Sequence, residues 1–312
     1  MERASAYVFL PQIGQSYPVL RERARLIERL GFDGLWLVDH FWAQGYPEAD
    51  FLEAWTAVAA LAEATSRLRL GVLVTCNSYR HPAVLAKIAA TADHVAGGRI
   101  ELGIGAGWME EEYRAYGIPF PPVAQRLEQL GEALAVIRSL FRNRRTTFDG
   151  RHYRLRNAPF QPKPVQECLP ITIGGSGTRI MMRLVARYAD RWNCPMPAAP
   201  RLCEHLAALR RYCAEIGRPP EAIVISEQVA VVVGADEGDV REKRAEAERT
   251  IGGFVDLDTM AVTGTPAAVV EVLRERMALG VRDFAVLFGD LAGPDSLELF
   301  ARTVLPKLTV AT

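Results

Sequence analysis

Residues 16–40, SYPVLRERARLIERLGFDGLWLVDH, hold a helix, a stop and a strand in the order that decides the fold. Leu20, Ala24, Ile27 and Leu30 recur at three and four residues, the period of one buried helical face. Ser16 stands where an N-cap is needed, and Gly31 where the chain must leave the helix. The apolar run 35–38 is a strand, and it ends on two polar residues, Asp39 and His40. A β-rich run at 7–10 precedes the helix, so the segment is a β-α-β unit with parallel strands.

The same rhythm continues outward. Strands are expected at 68–74, 100–104, 171–173, 191–194, 222–233 and 284–288. Helices are expected at 53–64 and 83–96, along the stripe Leu127, Leu130, Leu134, Ile137 and Phe141, after residue 177, at 201–216 and from about 238. A last helix is capped by Thr265, carries Pro266 at its first position, buries Val269, Leu273 and Met277, and stops at Gly280. Residues 142–169 break the pattern: Asp149-Gly150 is a turn between 146–148 and 152–155, which predicts a hairpin excursion. Eight strands alternating with helices imply an α/β fold, a single (β/α)8 TIM-type barrel with short excursions after strands 4 and 7, residues 1–312 forming one domain.

Composition narrows the function. A chain with 49% hydrophobic and 24% charged residues buries a large core. Thirty-seven basic residues balance 37 acidic ones, so no net field draws in nucleic acid or an anionic membrane. No apolar run is long enough to span a bilayer and no export leader is evident at the amino terminus. Five cysteines form no CxxC pair, and the five histidines make no metal-ligand spacing, which together point to a reducing, cytoplasmic setting without a metal site.

In such barrels chemistry lies on the loops after the strands. Asp39 and His40 follow strand two, and an imidazole beside a carboxylate can handle a proton near neutral pH. Strand four ends in Gly105, Ala106, Gly107 and Trp108, which fails the dinucleotide fingerprint because Trp108 replaces its last glycine. These glycines let backbone approach a flat ring, with Trp108 as a wall. Gly174, Gly175, Ser176, Gly177 and Thr178 follow strand five and open a helix, offering amides to a phosphate, with Arg179 and Arg183 adding charge. Glu110, Glu111 and Glu112 read as the acidic first turn of a solvated helix. Trp42, Tyr46, Trp108 and Tyr113 are candidate apolar walls for a substrate.

Five ordered blocks carry a resemblance: GFDGLWLVDHF (31–41), LGVLVTCNSYRHP (70–82), GGRIELGIGAGWMEEEY (97–113), PITIGGSG (170–177) and TGTPAAVVEVL (263–273). They are similar to the bacterial luciferase-like monooxygenase superfamily, F420-dependent oxidoreductase subgroup. The resemblance implies a flavin or deazaflavin ring across the strand ends with its phosphate at 174–178. It also implies a non-prolyl cis bond between Leu73 and Val74 in a bulge, running into Thr75, that backs the ring. Asp39-His40-Phe41 matches the F420 subgroup, whereas FMN-dependent relatives more often carry Glu-His-His. The implied activity is hydride transfer between F420 and a small organic substrate, with His40 exchanging the proton and Asp39 orienting it. The alternatives are an FMN-dependent monooxygenase served by a reductase, and a non-catalytic flavin-binding protein. Relatives that oxidise sugar phosphates place a glutamate where Trp108 stands, and relatives are commonly homodimers.

Overall fold

The computed structural model describes residues 3–309. Its strands are β1 Ser5–Phe9, β2 Gly34–Leu37, β3 Arg69–Val72, β4 Thr75–Cys76, β5 Ile100–Gly105, β6 Arg145–Asp149, β7 Arg154–Pro159, β8 Ile171–Gly174, β9 Arg191–Cys194, β10 Val224–Val233, β11 Ala261–Gly264 and β12 Asp283–Phe288. The helices are α1 Tyr17–Arg29, α2 Ala54–Ala64, α3 Pro82–Val95, α4 Glu110–Ala115, α5 Val123–Arg142, α6 Ile180–Tyr188, α7 Leu202–Glu215, α8 Glu237–Thr250, α9 Leu257–Met260, α10 Pro266–Ala278 and α11 Pro294–Thr303. Parallel pairing runs β1-β2-β3-β5-β8-β9-β10-β12 and returns to β1, so eight strands close a (β/α)8 barrel.

The helices cover the barrel because each buries one stripe. In α1 the buried residues are Leu20, Ala24 and Ile27, all fully inaccessible. Burying a Leu or Ile side chain stabilises by about 1.5–3 kcal/mol, so this stripe suffices to dock the helix. Ser16 and Thr265 occupy the N-cap positions of α1 and α10 without a side-chain bond, and a proline in the first turn fixes the backbone there instead. Gly31 and Gly280 leave their helices with φ of 82° and 113°, backbone that favours glycine.

The expected strand at 68–74 is broken. β3 ends at Val72, the Leu73–Val74 peptide bond is cis, and β4 resumes beside β5 with Thr75 opposite Ile104. Three elements, β11, α9 and α11, lie outside the sequence reading. β11 adds to the distal half of β10, and α11 follows a Gly-Pro start after the last strand. The hairpin of β6 and β7 forms within the excursion after the fourth barrel strand, and α8, α9 and β11 occupy the excursion after the seventh.

Inside, the barrel is stratified. At its amino end Tyr7 and Arg69 donate to Glu101 at 2.7 and 2.6 Å, Arg191 also donates to Glu101, and Ser226 donates to Asp283 at 2.5 Å. Above this polar layer Phe9, Trp36, Val38, Leu73, Ala230, Val232, Ala285 and Leu287 form an apolar cluster. Ala247, Ile251, Val255 and Leu257, from α8, the turn after it and the start of α9, pack onto the same cluster. Their chain reaches the loop after β2, where the Tyr46 hydroxyl donates to the Arg249 carbonyl at 3.0 Å and its ring meets Phe254 at 6.4 Å. The polar layer seals one end of the barrel, and the rim at the other end is left for chemistry.

Candidate active site

His40 stands just past β2 and is held by a residue on a different element. Its Nδ1 lies 2.7 Å from Oε2 of Glu112, on α4. The Glu112 side chain is fully buried and also accepts from the Phe41 amide at 2.6 Å and the Tyr79 hydroxyl at 2.6 Å. Burial raises the Glu112 carboxyl, but the bonds from His40, Tyr79 and Phe41 outweigh it and hold the group below the ordinary carboxylate range. Burial and the Glu112 carboxylate push the Tyr79 phenol far up, so it stays a donor. An ionised Glu112 makes Nδ1 the protonated nitrogen and leaves Nε2 of His40 for the rim. The imidazole retains 24% side-chain exposure, enough to meet a bound molecule.

This corrects two expectations. Glu112 belongs to no solvated face: α4 turns it inward together with Tyr113, whereas Glu110 and Glu111 are exposed. Asp39 has no hydrogen bond to His40. It takes a two-pronged bond from Arg80 at 2.6 and 2.8 Å and accepts the Cys76 amide at 2.9 Å. Arg80 also reaches Glu53 at 2.7 Å, so Asp39 ties β2 to the segment after β4.

A flat shelf lies at the neighbouring strand ends. Past the cis bond the Val74 side chain sits over two glycines; a methyl group on Gly105 or Gly174 would stand 2.6 Å from Val74 Cγ2 or Cγ1 respectively. Val74 is half-buried, so this shelf presents one apolar face outward. Ala106 continues it, and Trp108, 58% exposed, stands edge-on to His40 with ring centroids 5.5 Å apart. Leu73 and Thr75 are buried beside Val74. Leu73 joins the inner cluster, and the fully buried Thr75 hydroxyl accepts from Trp55 of α2 at 3.1 Å. Gly107 is packed against Tyr113 and Cys76, and its carbonyl is taken by Arg126. Tyr113 is buried against Cys76, its hydroxyl 2.9 Å from the sulfur, so it is core rather than a wall.

The loop 174–178 is more committed than its sequence suggests. The Gly175 amide bonds the Asn193 carbonyl at 3.3 Å, and the Gly177 amide bonds Nε2 of His205 at 3.2 Å. His205 is buried, and its Nδ1 lies 2.7 Å from the Arg201 carbonyl, which fixes it as the neutral tautomer that accepts through Nε2. Among the described residues the amides of Ser176 and Thr178 have no acceptor, and these two can still receive an anion. Glu112, Tyr79, Arg80 and His205 are the site residues the sequence reading missed. Met109, Glu112 and Tyr113, all buried at spacings of three and four, carry the helical period that could have revealed Glu112.

An apolar shelf with two free amides in the loop beside it and a half-exposed imidazole nearby has the shape and chemistry to take a flat, phosphorylated ring, the requirement of a flavin-type barrel enzyme. A model of the luciferase-like monooxygenase family matches residues 5–255, and the chain belongs to that family. It is 37% identical over 169 residues to an F420-dependent glucose-6-phosphate dehydrogenase of Intrasporangium calvum, a match covering 53% of this chain and 48% of that protein. The chain thus spans about half the length of that relative. Its fold matches an F420-dependent secondary alcohol dehydrogenase in complex with an F420-acetone adduct, with TM-score 0.85, 21% identity and coverage of 99% and 100% of the two chains. It matches a monooxygenase of Streptomyces bottropensis almost equally, with TM-score 0.82, 21% identity and coverage of 98% and 100%. Among the described residues no cluster of three His, Cys, Asp or Glu side chains could hold a metal, and no helix is long and apolar enough to cross a membrane.

Proposed function

We infer that the protein is an F420-dependent oxidoreductase acting on a small organic substrate. One observation supports this reading above the others: His40 is fixed through Nδ1 by the buried Glu112 and packs edge-on against Trp108, three residues past the Gly105 that lies under Val74. The deazaflavin supplies a carbon that gives or takes hydride. Val74, Gly105, Ala106 and Gly174 would support its ring, and Ser176 and Thr178 its phosphate.

The chain's own residues then have separate tasks. Glu112 holds the imidazole in one tautomer, and Nε2 takes or gives the proton at the substrate oxygen. Trp108 packs edge-on against the imidazole and limits the approach of water. Asp39 and Arg80 keep the loop after β2 in register with the segment after β4. F420 is preferred over FMN on Asp39-His40-Phe41 and on the names of the relatives.

Trp108 favours a second reading, because it stands where the sugar-phosphate-oxidising relatives carry an acid. An FMN-dependent monooxygenase needs no such acid. Titrating the protein with F420 and with FMN separates the two. Binding of F420 with little for FMN supports the first reading, and tight FMN binding with none for F420 overturns it.

A further inference from the structure

Resting on the F420 reading, we propose that the substrate is an uncharged, apolar carbonyl compound, interconverted with its alcohol, and that an apolar rim centred on Leu291 selects it. The inner cluster of the barrel is overlaid by six half-buried apolar side chains, Phe51, Val74, Phe254, Met260, Ala261 and Leu291. They come from the segments that follow β2, β3, β10 and β12, so they stand at the end of the barrel where the strands finish. Val74 is the shelf itself, and the other five pack on the same cluster.

This end of the barrel is poor in positive charge. Residues 10–16, 38–53, 106–109, 195–200, 251–260 and 289–293 contain no lysine or arginine, in a chain that has 37 of them. They do contain acids, among them Asp50, Asp256 and Asp258. Arg80 is taken up by Asp39 and Glu53. Of the cations on α8, Arg241 and Arg249 are exposed, while Lys243 and Arg244 pair with Asp239 and Asp258 at 3.3 and 2.5 Å. Arg179 adjoins the loop 174–178, read above as the seat of the cofactor's phosphate. A phosphate or carboxylate on the substrate would give up water here without gaining a cation. Glucose 6-phosphate, for which the relative from Intrasporangium calvum is named, is therefore the wrong kind of molecule for this rim.

Leu291 is held in place against its own backbone preference. It and Ala292 have φ of 51° and 61°, left-handed backbone that a branched side chain seldom adopts. Three bonds maintain the turn: the Leu291 amide donates to the Phe288 carbonyl at 3.0 Å, the Gly293 amide donates to Asp290 at 2.9 Å, and Arg23 donates to the Ala292 carbonyl. Enforced strain at the end of a barrel strand marks a side chain whose position is used. In the oxidative direction the carbinol carbon gives its hydrogen with both electrons to F420, the hydroxyl gives its proton to His40, and the carbonyl double bond forms. Reduction reverses each transfer.

The test measures dissociation constants and kcat/KM, in the presence of F420, for methyl ketones of four, six and eight carbons and for glucose 6-phosphate. The proteins are the wild type and Leu291→Asn, each also titrated with F420 and FMN and melted. Asparagine tolerates left-handed backbone better than leucine, so this variant keeps the turn and changes the polarity of the rim. The expected result is that wild-type affinity rises about fourfold for each added methylene, while glucose 6-phosphate neither binds nor reacts. In Leu291→Asn the gain per methylene should fall to about twofold or less, with F420 affinity and Tm nearly unchanged. Ketones that do not bind, an affinity independent of chain length, the same dependence in the variant, or glucose 6-phosphate used in preference to ketones overturns the apolar rim, and F420 binding then leaves the F420 reading intact. FMN binding with no F420 bound overturns both.

Discussion

Glutamine at position 112 would keep the size of the carboxylate but remove its charge and one of its acceptor oxygens. Three donors, from His40, Phe41 and Tyr79, now converge on two ionised oxygens. A side chain with a single acceptor oxygen cannot serve all of them, and the imidazole loses the partner that fixes its tautomer. Glu112→Gln is expected to lower kcat about 10²-fold while leaving the Kd for cofactor within about threefold, and to displace the pH profile of kcat. Steady-state kinetics beside a cofactor titration checks this, and equal loss in both would mark a purely structural role. His40→Ala should likewise retain cofactor and lose about 10²- to 10⁴-fold in turnover; unchanged turnover removes the imidazole from the chemistry. At this scale Asp39-His40 was legible because a polar pair closing an apolar strand is conspicuous. Its true partner was not, since three consecutive glutamates look alike until the helix decides which one faces inward.

Among the elements, β5 and β8 shape the shelf through what their last residues, Gly105 and Gly174, lack. A methyl group at Gly174 would stand 2.6 Å from Val74 Cγ1, so Gly174→Ala forces Val74 off its seat. Overpacking of this kind costs about 1–3 kcal/mol. Cofactor affinity is expected to fall at least about tenfold, with a modest drop in Tm, as titration and thermal unfolding would show. A variant with normal affinity would mean that the shelf does not carry the ring. Glycine-rich strand ends were visible in the sequence, but the side chain that fills them was not, because it arrives from a bulge on the adjacent strand. β11 escaped notice for another reason: Ala-Val-Thr-Gly is four residues long, half-buried and without alternation. Its strand character comes from β10 alongside, not from its own composition.

Across the whole molecule, alternation of strand and helix was enough to read a barrel, whereas the polar layer at its amino end was hidden. Tyr7, Arg69, Glu101, Arg191 and Asp283 come from five separate strands, and only ring closure brings them together. Within that layer burial raises Asp283 to about 6, opposed by the attraction of Arg191. A carboxyl raised on folding contributes stability that is complete below its unfolded value near 4 and is lost as pH rises through about 6. Asp283→Asn removes this dependence while keeping an oxygen for Ser226. Relative to wild type, the variant should therefore gain stability between pH ~4 and ~7, by an amount on the order of 2 kcal/mol. Unfolding midpoints of the pair at both pH values test it, and a constant difference would refute it. Glu101 is held low by Arg191 and Arg69 against its own burial, so its contribution runs oppositely and cancels in the comparison.

β10 changes neighbour along its length: residues 224–227 pair with β9, and residues 230–233 pair with β11. The continuous hoop of hydrogen bonds is therefore confined to the lower storey of the barrel, and near the rim it divides between β9 and β11. Amide hydrogens of β11 can exchange with solvent through a local parting that leaves the hoop shut, while those of β12, bonded on both sides, wait for a larger opening. The wall bordering the excursion after the seventh barrel strand can breathe on its own, and the remainder keeps its shape.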